Sequence, residues 1–196
     1  MPSLGERGGR RFSQAISEGD GISVVVEVDS PDAAHAAESD GAEALVVSGH
    51  TAGVREATEL PILWRGGGSV DAAARAGADA YLIVAAEFAD DDGDRLDDAA
   101  AHVVELGLDW VVSVGDEDEL ARVLELHDPE IFHLVGGDLE HALELLTDVP
   151  AGKLAIAEAT HVTRPQVLEL ERAGIDAVIV PARDVAALVG GAPPAV

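Results

Sequence analysis

Residues 24–31 read VVVEVDSP. Side chains alternate across a strand, so Val24, Val26 and Val28 share one face and Val25 lies on the other. With apolar residues on both faces, this strand is one that is buried on both sides, as in a parallel sheet covered by helices. Glu27 and Asp29 are two apart and therefore share one face of it. Two carboxylates on an otherwise apolar strand point to a functional site or to what is left of one.

Working outward, seven more runs of the same kind follow at regular intervals: ALVVSG (44–49), PILWRG (61–66), AYLIVAA (80–86), WVVSVG (110–115), IFHLVGG (131–137), KLAIAEA (153–159) and AVIVPA (177–182). The segments between them carry apolar residues at helical spacing with acids at their starts, as in DRLDDAAAHVVELG, DEDELARVLELH and DLEHALELLTDV. TRPQVLELERAG adds Thr163 as an N-cap, Pro165 in the first turn and Gly174 as a stop. The earlier connections, SPDAAHAAESDG, HTAGVREATE and SVDAAARAGA, are shorter. Strands strictly alternating with helices imply a parallel sheet with helices outside. Eight such units predict an α/β fold, a single compact (β/α)8 barrel over 1–196, close to the minimum length for that architecture. Residues 1–20 read as a lead-in segment and 191–196 as a flexible tail. A doubly wound open sheet is the alternative, but DSPD after the first strand is not a glycine-rich nucleotide-binding turn.

Composition narrows the function. The 196 residues are 47% hydrophobic, enough for a well-buried core, and the apolar runs are too short to span a bilayer. The first twenty residues hold charge without an apolar stretch, so no secretory signal is read there and a cytoplasmic location is expected. The absence of cysteine removes disulfides, thiolate nucleophiles and thiolate metal sites. There are 38 acids against 12 bases, for a net charge of −26, and Lys153 is the single lysine. Phosphate backbones and anionic membranes need clustered Lys and Arg, so neither nucleic acid nor membrane is expected as a partner. Self-repulsion of this size is eased by salt, and adaptation to a saline cytoplasm is the first reading. An acidic partner-binding face is the second.

From about residue 12 to 190 the chain resembles indole-3-glycerol phosphate synthase, a barrel enzyme of tryptophan biosynthesis. VVVEVDSP is similar to that family's first strand, PILWRGGG to its third and RAGADAYLIVAA to its fourth. WVVSVGDEDEL resembles the fifth, HLVGGDL the sixth and AIAEATHVTRPQVLELERAGIDAVIV the seventh and beyond. The resemblance implies a lyase with its site at the C-terminal ends of the strands, and it retains the family's glutamates as Glu27 and Glu158. It also implies departures. The general-acid lysine of strand one is Asp29 here, and the strand-three lysine is Arg65, a cation but no proton donor near neutral pH. The strand-five glutamate is Ser113 and the strand-six asparagine is Val135. The phosphate-holding positions are Asp29, Gly137, the turn EATH and Pro181, and proline has no N–H to offer.

The catalytic candidates are therefore Glu27, Asp29, Arg65 and Glu158, placed by family register at the barrel mouth. Ser113, Thr160, Trp64 and Arg183 are candidate ligand contacts there. His50, His133 and His161 are weaker candidates for a metal beside the carboxylates, and solvated or satisfied histidines are the plainer reading. Ser48 and Ser113 lack the Gly-x-Ser-x-Gly elbow of a nucleophilic serine. ADDDGDR (89–95) lacks the spacing of a calcium loop. No cofactor is implied. The expected role is a non-synthase barrel that binds a small molecule or a protein partner, as monomer or homodimer. The alternatives are an enzyme using Glu27, Asp29 and Glu158 for acid–base or metal-assisted chemistry, and the synthase itself.

Overall fold

The structure is a computed structural model, and it describes residues 11–19, 21–49, 52–66, 68–90, 93–183 and 185–189. Eight strands close into one parallel barrel in chain order, β1 Ser23–Val28, β2 Ala44–Val47, β3 Ile62–Trp64, β4 Ala80–Val84, β5 Asp109–Val114, β6 Ile131–Leu134, β7 Leu154–Glu158 and β8 Ala177–Pro181. Closure joins β8 to β1, with Val25 beside Ile179 and Glu27 beside Pro181. Each strand is followed by helix: α2 Pro31–Ser39, α3 Val54–Ala57, α4 Val70–Ala76, α5 Asp94–Glu105, α6 Glu117–Leu126, α7 Leu139–Leu146, α8 Arg164–Ala173 and α9 Val185–Val189. A 3-10 turn, Ala85–Phe88, precedes α5. This is the (β/α)8 barrel expected from the alternation. No helix among the described residues is long and apolar enough to cross a membrane.

Strand alternation sorts the core into two layers. Val25, Val46, Leu63, Leu82, Val111, Ile131, Ile156 and Ile179 point inward and fill the barrel. Val24, Val26, Leu45, Val47, Trp64, Val112, Phe132 and Val178 point outward and meet the helices. Both sets are buried, which is why valine and isoleucine stand at both parities of the strands.

The lead-in segment contains α1, Phe12–Ser17, whose Phe12 and Ile16 pack into the inward layer at its base. Both are almost fully buried, at 0% and 2% exposure. Burial of two such side chains contributes about 3–6 kcal/mol of transfer free energy. Polar bonds hold the plug in register: Ser23 Oγ donates to the carbonyl of Ala15 at 3.1 Å, and Ser13 N–H to Asp109 Oδ2 at 2.8 Å. At this end Ile62 N–H also meets Asp79 Oδ2, and Ala155 N–H meets Asp176 Oδ2.

The helix starts follow from their sequences. Ser30, Ser69, Asp116 and Asp138 each accept a backbone N–H of the first turn. Thr163 is the N-cap of α8 as expected, with Gln166 Oε1 accepting its N–H at 2.9 Å. Gly174 closes α8 at φ 102°, a conformation a side chain would oppose.

Candidate functional site

On several strands the inward face becomes polar at the C-terminal end, while β4 and β8 end on Val84 and Pro181. On β1 the inward series is Ser23, Val25, Glu27, and on β7 it is Leu154, Ile156, Glu158. β3 ends at Trp64, yet Arg65 N–H still donates to the Val47 carbonyl at 2.8 Å. That bond extends the ladder by one residue and aims the Arg65 side chain into the mouth.

There the groups meet in one connected set. Arg65 Nη1 donates to Glu158 Oε1 at 2.8 Å and Nη2 to Glu27 Oε1 at 2.6 Å. Ser48 Oγ donates to the same Glu27 oxygen at 2.9 Å. On the far side His133 Nε2 stands 3.2 Å from Glu158 Oε2, close enough to attract but off the line of a good hydrogen bond. His133 Nδ1 lies 3.1 Å from Ser113 Oγ. The set thus runs Ser48–Glu27–Arg65–Glu158–His133–Ser113 and draws on six of the eight strands or the residues just beyond them. Arg65 is 22% exposed, Glu158 27% and Glu27 37%, so water still reaches the carboxylates. His133 and Ser113 are buried.

Electrostatics follow from these contacts. Glu158 is held down at about 2, by the His133 contact first and then by Arg65, while burial opposes them. Burial works against the Arg65 cation, but its bonds to Glu158 and Glu27 outweigh that and raise its pKa. Arg65 is a permanently charged group whose two terminal nitrogens are already occupied by carboxylates.

The remaining expected residues lie elsewhere. Asp29 is exposed just past β1, with no hydrogen bond or ion pair to any described residue. It shares a side of the barrel with Glu27 without joining the network. Trp64 departs from its expected place at the mouth: it is 2% exposed in the outer layer, because alternation that turns Arg65 inward turns Trp64 toward the helices. Its indole N–H is buried without a partner. Thr160 and His161 are exposed in the turn after β7, and Arg183 is exposed after β8. His50 lies outside the described residues. Among the described residues no group of three or more His, Asp or Glu is disposed to hold a metal. His127, after α6, has a side chain only 3% exposed, with Nδ1 2.7 Å from Asp97. Val84 and Val135 form a half-open apolar rim beside Ser113 and His133.

Sequence reasoning missed the link between Ser113 and His133. His133 shares the inward parity of Val135, but only the register that sets Ser113 against His133 brings the two together. Ser48 as a partner of Glu27 was missed for the same reason.

No protein-family model matches the chain. Over 110 residues it is 34% identical to the indole-3-glycerol phosphate synthase of Albidiferax ferrireducens, a match covering 53% of this chain and 40% of that protein. It is 32% identical over 142 residues to the synthase of Rhodopirellula baltica, covering 65% of this chain and 52% of that one. The chain thus spans about half the length of the curated relatives it matches. Among solved structures it resembles the N-acetylmannosamine-6-phosphate 2-epimerase of Clostridium perfringens, with a TM-score of 0.68 over 92% of this chain and 93% of that one. At 15% identity that likeness speaks for the barrel fold alone.

Proposed function

We propose that this chain is a synthase-like barrel that binds a small cationic or polyhydroxylated ligand at its mouth and does not form indole-3-glycerol phosphate. One observation carries the reading: the Arg65 guanidinium spends Nη1 on Glu158 and Nη2 on Glu27. A phosphate arriving there would meet a guanidinium whose charge two carboxylates already balance, with only its remaining N–H groups to offer. It would also approach Glu27, Glu158 and the exposed Asp29, with like-charge repulsion of a few kcal/mol at close range in a partly desolvated mouth. A primary amine or a sugar-like hydroxyl set meets acceptors instead, from Glu27, Asp29 and the hydroxyls of Ser48 and Thr160.

The likeness to the synthases favours the opposing reading, that the synthase reaction persists. Both are tested together. In molar KCl, a panel of small amines and polyols should raise the melting temperature, as any ligand that binds the folded state does. Inorganic phosphate and sugar phosphates should leave it unchanged, and the Asp29→Lys variant should form no indole-3-glycerol phosphate. Indole-ring fluorescence developing with the unmodified protein, or stabilisation by phosphates alone, would overturn the proposal.

A further inference from the structure

We propose that Ser113, His133 and Glu158 form a nucleophile–base–acid relay that cleaves esters of small acyl groups at the barrel mouth. The inference goes beyond ligand binding, since a barrel that only binds would pass the preceding test and fail this one. A relay of this type is recognised by geometry and by the role of each group, whatever the fold or the order along the chain. Here the imidazole of His133 stands between the other two side chains, with Nδ1 3.1 Å from Ser113 Oγ and Nε2 3.2 Å from Glu158 Oε2.

The protonation states follow from the neighbours. Glu158 is bonded to Arg65 and stays ionised, so it accepts only. The Nε2 edge of His133 is turned toward that carboxylate at 3.2 Å, and an N–H there is the tautomer the proposal requires. Nδ1 then carries a lone pair, and that lone pair faces the Ser113 hydroxyl. This is the arrangement a general base needs before it can take a proton from a nucleophile. The nitrogens are exchanged relative to the usual serine hydrolase, but the order hydroxyl, imidazole, carboxylate is the same.

Access sets the substrate class. Ser113 lies within β5 and is only 5% exposed, so a bulky acyl group cannot reach it. The next position on the same face toward the mouth is Gly115, which has no side chain of its own, although the Glu119 carboxylate accepts its N–H at 2.7 Å and borders the approach. Val84 and Val135, 36% and 38% exposed, flank the approach with apolar surface suited to a short acyl chain. No Gly-x-Ser-x-Gly turn is required, because that turn serves to lift a serine out of a sheet, whereas the closed barrel already aims Ser113 inward. Ser113 Oγ attacks the ester carbonyl carbon and its proton passes to His133 Nδ1. The tetrahedral adduct collapses, the alkoxide leaves with that proton, and acyl-Ser113 remains. Water then adds to the acyl group with His133 again as base, releasing the acid and restoring the hydroxyl.

The test uses the full chain in molar KCl with 4-nitrophenyl acetate. The proposal expects a burst of one 4-nitrophenolate per chain, and an acetyl group mapped by mass spectrometry to the peptide holding Ser113. Ser113→Ala should abolish both. His133→Gln should slow acetylation by about 100-fold or more, the usual worth of a general base. No burst, or an acetyl group found on another residue, overturns the proposal. Peptide mapping of the unmodified protein decides the matter even if a variant fails to fold.

Discussion

At the base of the barrel Asp79, Asp109 and Asp176 accept backbone N–H groups of Ile62, Ser13 and Ala155, whereas at the mouth Glu27 and Glu158 accept from the side chain of Arg65. The first set ties one stretch of main chain to another, and Phe12 and Ile16 fill the space between them. The second set leaves the strand ladder independent of it, since the backbone of Arg65 is bonded separately to Val47. The two ends also move carboxylates in opposite directions. Burial pushes Asp176 up, while His133 and Arg65 bring Glu158 down to about 2. At the base all three carboxylates hold main chain, with Asp79 Oδ2 also accepting from Arg55 Nη1 at 3.0 Å, whereas at the mouth the carboxylates hold side chains.

The largest expected effect probes the base. Phe12→Ala removes a fully buried ring and leaves a cavity, costing about 3–5 kcal/mol in urea unfolding. Because no charge is involved, the loss should be equal at pH 7 and pH 5. A pH-dependent loss would mean that the plug and the mouth are not separate.

Next comes the mouth. Arg65→Met leaves two carboxylates without their cation and should cost roughly 2–3 kcal/mol at pH 7, below the value for a fully buried pair because the mouth is partly wet. With Arg65 gone Glu158 loses one of the contacts that hold it down and titrates higher, so its protonation relieves uncompensated charge as pH falls. Over the same range the unmodified protein is losing its own advantage. A carboxylate whose folded value lies below its ordinary 4.5 stabilises the fold above that value, and the contribution fades as pH drops from about 4.5 toward about 2. Both trends narrow the deficit of the variant in acid. Adding Glu27→Gln and Glu158→Gln to Arg65→Met should restore part of the stability at pH 7. Additive losses would break the network into unconnected residues.

The smallest effect sharpens the distinction between the mouth and the outer shell. We read the net charge of −26 as adaptation to salt, so melting temperatures should rise by several degrees between dilute buffer and 1 M KCl, where the Debye length is about 3 Å. The deficit of Arg65→Met should change by less than about 1 kcal/mol over that range, because its ion pairs are in direct contact and Arg65 is only 22% exposed. A flat melting temperature would remove the salt reading. A deficit that vanished in KCl would reduce Arg65 to an ordinary surface ion pair.

The barrel was legible because strand and helix periods alternate without interruption from Val24 to Ile179, and burial on both faces leaves valine and isoleucine at both parities. That Glu27, Arg65 and Glu158 lie on one side of the strands was legible through the resemblance to the synthases, which carries strand parity with it. The same parity, applied to Trp64, places it outward, and the expectation that it lines the mouth gave way on that point. The His133–Ser113 link was not legible, because a pairing between neighbouring strands depends on register, and register is not written in either strand alone. The packing of Phe12 and Ile16 into the base was also hidden, since a six-residue helix has too few turns to show a period.

The central claim is that Glu27, Arg65, Glu158 and His133 act as one connected polar unit at the mouth. It is tested most directly by following the Glu158 carboxyl carbon by NMR as the pH falls from 7 to 3.5 in molar KCl. The account predicts that Glu158 stays almost wholly ionised at pH 3.5, while exposed carboxylates of the same protein are well into their titration. In Arg65→Met and in His133→Gln the Glu158 signal should begin to move at higher pH. A Glu158 that titrates with the surface carboxylates in the unmodified protein, or that is indifferent to both substitutions, would contradict the account.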